Sequence, residues 1–387
     1  MTTILKAGAD AGNNALKLWV KGQQPILIPT IYSLYMGETT AVIDEDDIAI
    51  TALEKNIDVT INSPALAQNG KRYIIGEKVI EDRVKGTELE KNSDKSTDEL
   101  PVMITLAGLA VNAMQMNPIA NKIDVSYDLS VALPVQTITP QNAQANAQRY
   151  MGTHTVIYHH PSGRNVTVNI KIEYCKCLPE GGAAAWGIVY NEHGKVTKRE
   201  VETTQGIQET DYVDKTLLSF DIGAGTTEIV VSQGVRFNPK LSEGLHYGVK
   251  ETILEVIKRW NRNNPRKTIE NITEFNEIYL DTEHPRHGLL REASKVAFSQ
   301  LATRISTAIM DKIDDMKDDP FVFIYGGGAA ILKDSLQQIL SEKGRLTNVT
   351  FLNDEIFVNA RGLLVYTCSP RFELQKQKEL GVASDAS

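Results

Sequence analysis

Cysteine is scarce in this 387-residue chain. Cys175, Cys177 and Cys368 are too few for a disulfide framework, and a Cys-x-Cys pair is too close for easy bridge geometry. Reduced thiols in a cytosol are therefore expected. Positive charge is short as well: 41 Lys and Arg against 49 Asp and Glu give a net charge of −8. That argues against direct, tight binding to a phosphate backbone, which needs a basic stripe. Long apolar runs are missing too. Leu100 to Asn121 carries no charge, but it contains Pro101, Asn112, Gln115, Asn117 and Pro118, and its dense apolar part stops near Val111. This predicts a buried helix and not a bilayer span. The first residues show no basic segment followed by an apolar stretch and a cleavage site, so export is not expected. There is no Gly-x-x-x-x-Gly-Lys-Ser/Thr phosphate loop and no second Cys/His cluster at zinc spacing beside Cys175 and Cys177. The expectation is a cytoplasmic protein without a membrane partner.

The length predicts two domains, and 42% hydrophobic residues are enough for two full cores without a covalent staple. Period-two alternation and short apolar runs predict strands at Leu5–Ala9, Ala15–Val20, Ile57–Asn62, Lys71–Ile75, Asp124–Leu133, Asn165–Cys177, Leu217–Asp221, Thr227–Ser232 and Phe321–Tyr325. Asn69-Gly70 suits a hairpin turn. Helices are expected at Val102–Met116, Gln141–Met151, around Trp186, at Val249–Asn261, through Leu289–Asp319, at Leu332–Lys343 and at Phe357–Cys368. In the helix from Val249, Ile253, Leu254, Val256, Ile257 and Trp260 are expected on one buried side. Val84 to Glu99 and Asn191 to Lys215 read as exposed, hydrophilic stretches, and the tail from about Gln375 as disordered. Strands and helices interleave throughout, the pattern of α/β layers.

Two segments match. Lys6-Ala-Gly-Ala-Asp-Ala-Gly-Asn-Asn-Ala-Leu-Lys17 and Leu217-Leu-Ser-Phe-Asp-Ile-Gly-Ala-Gly-Thr-Thr-Glu228 each run strand, Asp-x-Gly, small or amide residues, then a second strand. Asp10 and Asp221 lie a little over half the chain apart, as a duplicated domain would leave them. An Asp-x-Gly hairpin alone is ordinary turn chemistry; two matched copies suggest a shared task. Glycine after the strand lets backbone N–H groups turn toward phosphate oxygens. Gly12, Asn13 and Asn14 on one side, and Gly223, Ala224, Gly225, Thr226 and Thr227 on the other, supply such donors. Lys17 can neutralise a β- or γ-phosphate as a point charge. Asp10 and Asp221 beside phosphates would repel them unless a divalent cation lay between. Phe321–Tyr325 runs into Gly326, Gly327 and Gly328 before a helix, where backbone can approach a base or ribose closely. Glu180 follows a strand end and precedes a helix, a position from which it could reach into a cleft.

These residues resemble the actin-type nucleotide-binding superfamily. Asp10 to Lys17 resembles its phosphate-1 loop, Asp221 to Thr227 its phosphate-2 loop and Ile324 to Gly328 its adenosine loop. Leu178-Pro-Glu-Gly-Gly-Ala-Ala-Ala and Asn359-Ala-Arg-Gly362 resemble its two connecting motifs. All five occur in family order. Asn13 and Asn14 stand where Ser or Thr is usual, and Glu228 where Asp is common. Within the superfamily the chain is most similar to plasmid-segregating actin-like proteins of the ParM/StbA type, on Gln68-Asn-Gly-Lys-Arg-Tyr-Ile-Ile-Gly-Glu77 and on length. The resemblance implies two ribonuclease-H-like domains flanking a nucleotide cleft: domain I over residues 1–177 with a C-terminal helix at 355–374, domain II over 178–354, and a flexible tail at 375–387. It also implies hydrolysis of ATP, or GTP, with magnesium held by Asp10 and Asp221 through water. Glu180 would polarise the attacking water, and Gly326 to Gly328 would contact the nucleoside. The implied partners are other copies of the chain in a filament and a ParR-like adaptor that grips centromere-like plasmid DNA, so DNA contact is indirect. A small-molecule kinase, a nucleotide-gated sensor and a cell-shape protein are the alternative expectations on the same fold.

Overall fold

The alternating apolar residues of the first strands build one large sheet, and the matched segment from Leu217 builds a second. A computed structural model describes residues 3–37, 50–89, 94–316, 319–352 and 356–381. The chain divides into two compact units, Met1–Lys195 with Asn359–Ser387, and Val196–Val358.

In the first unit the strands are β1 (Ile4–Ala11), β2 (Ala15–Val20), β3 (Ile26–Pro29), β4 (Ile31–Leu34), β5 (Ile57–Asn62), β6 (Lys71–Ile75), β7 (Thr87–Glu88), β8 (Lys122–Leu133), β9 (Gly152–His159) and β10 (Asn165–Pro179). Its first helices are α1 (Glu77–Glu81), α2 (Leu100–Met116), α3 (Pro140–Tyr150) and α4 (Ala184–Val189). One ten-stranded sheet has the order β3-β2-β1-β8-β10-β9-β5-β6-β4-β7. Only β1, β8 and β10 run parallel to one another; every other pairing is antiparallel.

The uncharged segment forms α2, buried along nearly its whole length. Leu106, Leu109 and Val111 are each fully buried, and burying one such side chain contributes about 1.5–3 kcal/mol. Gly108 lets α2 lie close on the sheet: a Cβ there would stand 3.0 Å from Leu16 and 3.1 Å from Leu18. α2 therefore lies in the protein core, and among the described residues no helix is long and apolar enough to cross a membrane. The connection from β5 to β6 is broader than a two-residue turn. Gly70, at φ +75°, donates from its N to the Ile61 carbonyl at 2.9 Å, and the Asn69 side chain accepts from Ser63 N at 2.7 Å.

The second unit holds β11 (Lys198–Thr203), β12 (Gly206–Asp211), β13 (Thr216–Ile222), β14 (Thr227–Gln233), β15 (Arg236–Phe237), β16 (Glu243–Leu245), α5 (Lys250–Asn263), α6 (Ile272–Leu280), α7 (His287–Asp314), β17 (Phe321–Tyr325), α8 (Gly327–Glu342) and β18 (Val349–Phe351). Its main sheet runs β15-β14-β13-β17-β18, with β16 also on β14. β13, β17 and β18 are parallel and β14 is antiparallel. This repeats the arrangement of β2, β1, β8 and β10, so the duplication holds at the level of topology. The hydrophilic stretch after Asn191 is not simply an exposed loop. It contains the hairpin β11–β12, which buries Val201. On α5, Ile253, Val256, Ile257 and Trp260 are buried as expected, but Leu254 is 46% exposed because it falls off their stripe.

The chain returns to the first unit as α9 (Val358–Thr367) and α10 (Pro370–Leu380). The segment from Gln375 is thus helix and not a disordered tail up to Leu380; residues 382–387 lie outside the described residues, as does residue 355. Ser369 caps α10 and Phe372 is fully buried. Lys376 donates to both carboxylate oxygens of Asp128 at 2.8 Å, and Lys176 pairs with Glu379 at 2.7 Å. The unit boundary at Lys195 falls later than residue 177 because β10 continues to Pro179 and α4 packs on α9. At that crossing Gly187 faces Gly362, with a Cβ on Gly187 3.1 Å from Gly362 N.

Candidate functional site

The first hairpin closes through its own backbone: Gly12 N donates to the Ala15 carbonyl at 3.1 Å. Thr30 fastens it from β3's end, its hydroxyl donating to Gly12 O at 2.8 Å and its N to Asn14 O at 2.9 Å. Asp10 and Lys17 are register partners across β1 and β2, which places Lys17 Nζ 3.5 Å from Asp10 Oδ2. Asp10 is 5% exposed. A Cβ on Gly12 would sit 2.8 Å from Lys17 Nζ, so glycine leaves the ammonium its place beside the turn. A buried carboxylate, a cation and a glycine turn suit a phosphate accompanied by a divalent ion.

The second hairpin repeats the first. Gly223 N donates to Thr226 O at 2.9 Å, and Asp221 and Glu228 are its register partners. The carbonyls of Gly223 and Ala224 accept from Val249 N at 3.2 Å and Lys250 N at 2.9 Å, which ties the loop to the start of α5. Thr227 is a correction to the expected donors. It is fully buried and its hydroxyl donates to the Tyr247 carbonyl at 2.9 Å, so that proton is committed within the fold.

The glycine triplet meets this loop. Gly326, at φ +99°, caps α8, and a Cβ there would collide with Asp221 Oδ1 and the Ile222 carbonyl. A Cβ on Gly328 would stand 2.7 Å from Ile222 Cγ2. Gly327 already lies in the first turn of α8. The fold thus brings Gly326 and Gly328 against Asp221 and Ile222, two motifs far apart in sequence.

Glu180 follows β10, its N donating to Leu133 O at 2.8 Å. Ala9, Val131 and Cys177 share one register row across the parallel strands. Asp10 and Glu180 therefore both stand at the carboxyl ends of parallel strands, two strand spacings or about 10 Å across the sheet. That edge is where parallel α/β sheets bind ligands. Next to Glu180, Gly181 N donates to Asn359 Oδ1 at 3.1 Å, so the two connecting motifs touch.

The environment of Glu180 differs from an open cleft. It is 8% exposed, and its Oε1 accepts from Lys95 Nζ at 2.9 Å. The stretch expected to be an exposed loop thus buries Lys95, Ser96 and Leu89; residues 90–93 of it lie outside the described residues. Sequence reasoning missed Lys95, and no local pattern marks it. Cys175 and Cys177 are buried. Burial, partly offset by the Asn146 amide, pushes the Cys177 thiol up to about 12, and burial also raises Cys175. Such thiols stay protonated and bind soft metals poorly.

Residues 8–182 match the family described as actin-like proteins, N-terminal domain, and residues 219–338 match the archaeal actin homologue MreB-like C-terminal family. Among solved structures, the actin-like protein Alp7A is 16% identical with a TM-score of 0.72, over 98% of this chain and 100% of that one. The ParM of Bacillus thuringiensis with ATP is 17% identical with a TM-score of 0.68, over 96% and 99% of the two chains. The archaeal actin homologue Ta0583 is 16% identical with a TM-score of 0.62, over 93% and 98%. No curated protein sequence matches the chain. These likenesses fix the fold as actin-like.

Proposed function

Because the chain belongs to the actin-like superfamily, we propose that it is a magnesium-dependent ATPase that assembles into filaments and moves plasmid DNA through an adaptor. The duplicated hairpin carries this reading. Gly12 to Ala15 and Gly223 to Thr226 are closed by the same backbone hydrogen bond, each directly after an aspartate-bearing strand end. With the N–H groups of Gly12 and Gly223 closing the hairpins, phosphate oxygens are bound by the backbone N–H groups of the turn residues that follow, helped by the amides of Asn13 and Asn14 and by Thr226. Lys17 offsets phosphate charge, and the backbone at Gly326–Gly328 meets the nucleoside.

Asp10 and Asp221 would hold magnesium through water, and the ion would neutralise charge on the phosphates. Glu180 orients the attacking water and accepts its proton. Phosphoryl transfer is mostly positioning and charge neutralisation, so this small set suffices. A heterologous self-contact that does not close into a ring gives an open fibre. A net charge of −8 disfavours a direct grip on DNA, which is why a separate adaptor is part of the proposal.

Sedimentation with and without Mg-ATP tests this. The full chain should pellet only with nucleotide, hydrolyse ATP without a second substrate, and leave naked DNA unshifted at physiological salt. Phosphate transfer to a small hydroxyl compound without pelleting would replace the proposal with a kinase.

A further inference from the structure

Glu180 is held by a neighbour that the proposed chemistry does not use. The Lys95 and Glu180 side chains are only 9% and 11% exposed, with Nζ and Oε1 2.9 Å apart. Lys95 does not reach there on a loose loop. Asp94 Oδ1 accepts from Ser96 N at 2.9 Å, and Arg149 of α3 donates to the carbonyls of Ser96 at 2.8 Å and Asp98 at 2.7 Å. Arg149 thus anchors the turn on the carboxyl side of Lys95.

A buried ion pair is a poor device for stability, because desolvating two charges offsets much of their attraction and apolar residues of the same size often do as well. The pair has a clearer effect on reactivity. The ammonium occupies Oε1 of Glu180 and fixes the orientation of the carboxylate. A carboxylate held in this way accepts a proton from water less readily.

We infer that Lys95 is a positioning residue that restrains Glu180 and keeps hydrolysis of bound ATP slow until the pair opens. This rests on the hydrolase reading of Glu180 given above. In the restrained step, the water oxygen bonds to the terminal phosphorus and the bond from that phosphorus to the bridging oxygen breaks. A water proton passes to Glu180, which later releases it to solvent, and the products are ADP and inorganic phosphate.

The test is single-turnover hydrolysis of Mg-ATP by the full chain, at protein concentrations that do not pellet. Lys95→Gln should raise the rate about 3–10-fold without changing the half-saturating ATP concentration. Lys95→Arg, which keeps the charge, should restore the slow rate. Lys95→Met keeps the aliphatic stem and serves as a second neutral variant should glutamine impair folding. A slower or unchanged rate in a neutral variant with wild-type melting temperature overturns the inference while leaving the hydrolase reading intact. Absence of hydrolysis in the wild type and in both neutral variants overturns the hydrolase reading itself, and the inference falls with it.

Discussion

Lys17 Nζ stands 3.5 Å from Asp10 Oδ2, across a register pair whose counterpart in the second hairpin is Asp221 with Glu228. The two copies share a backbone but not a charge. Lysine at this position belongs to the first hairpin alone, where it can serve a phosphate; in the second a buried glutamate takes its place.

Lys17→Ala should therefore weaken ATP binding about 10–100-fold, since hydrogen bonds to charged groups contribute about 1.5–3 kcal/mol. Isothermal titration with Mg-ATP checks this. Thermal stability should change little, because the lysine is partly exposed and its pairing with Asp10 is long.

Gly326 and Gly327 make a second prediction. At φ +99°, with Asp221 Oδ1 and the Ile222 carbonyl where its Cβ would go, Gly326 cannot become alanine without displacing β13's end. Gly326→Ala should destabilise the second unit, with about 1–3 kcal/mol from backbone strain alone, and should weaken nucleotide binding. Gly327→Ala meets only Ile356 Cγ2 at 3.6 Å, so its urea midpoint should stay near wild type.

These neighbours show how far the sequence was readable. Period-two runs such as Ala15–Val20 are strands over those same residues, and the two Asp-x-Gly hairpins lie where the matched segments placed them. Hairpin β11–β12 escaped because most of its side chains are polar and exposed, leaving Val201 as its one buried residue. α10 escaped because its hold is tertiary: Lys376 finds Asp128 and Phe372 finds Tyr174, partners set far back in the chain. Lys95 escaped for the same reason. Its charged surroundings suit solvent, and its partner Glu180 lies 85 residues further along the chain.

His154 predicts an acid-sensitive first unit. It is buried, with Nδ1 2.8 Å from the Ser63 hydroxyl and Nε2 donating to the Tyr150 carbonyl at 2.8 Å. Burial holds its pKa below the ordinary 6.5, partly countered by that carbonyl. The unfolded chain thus takes up a proton first as pH falls. The stability from neutral His154 is full above pH 6.5 and lost as pH falls through the folded value, with a slope of up to about 1.4 kcal/mol per pH unit. Melting temperatures between about pH 7.5 and 5 should fall more steeply for wild type than for His154→Gln.

The most direct test of the account follows light scattering after Mg-ATP is added to wild type and to Glu180→Gln. Wild type should rise and then decay as ATP is consumed. Glu180→Gln should bind ATP with near wild-type affinity, turn it over about 10²–10⁴-fold more slowly, and rise without decaying. A flat trace for wild type at protein and nucleotide concentrations that saturate binding would contradict assembly. Decay at the wild-type rate in Glu180→Gln would contradict the role given to Glu180.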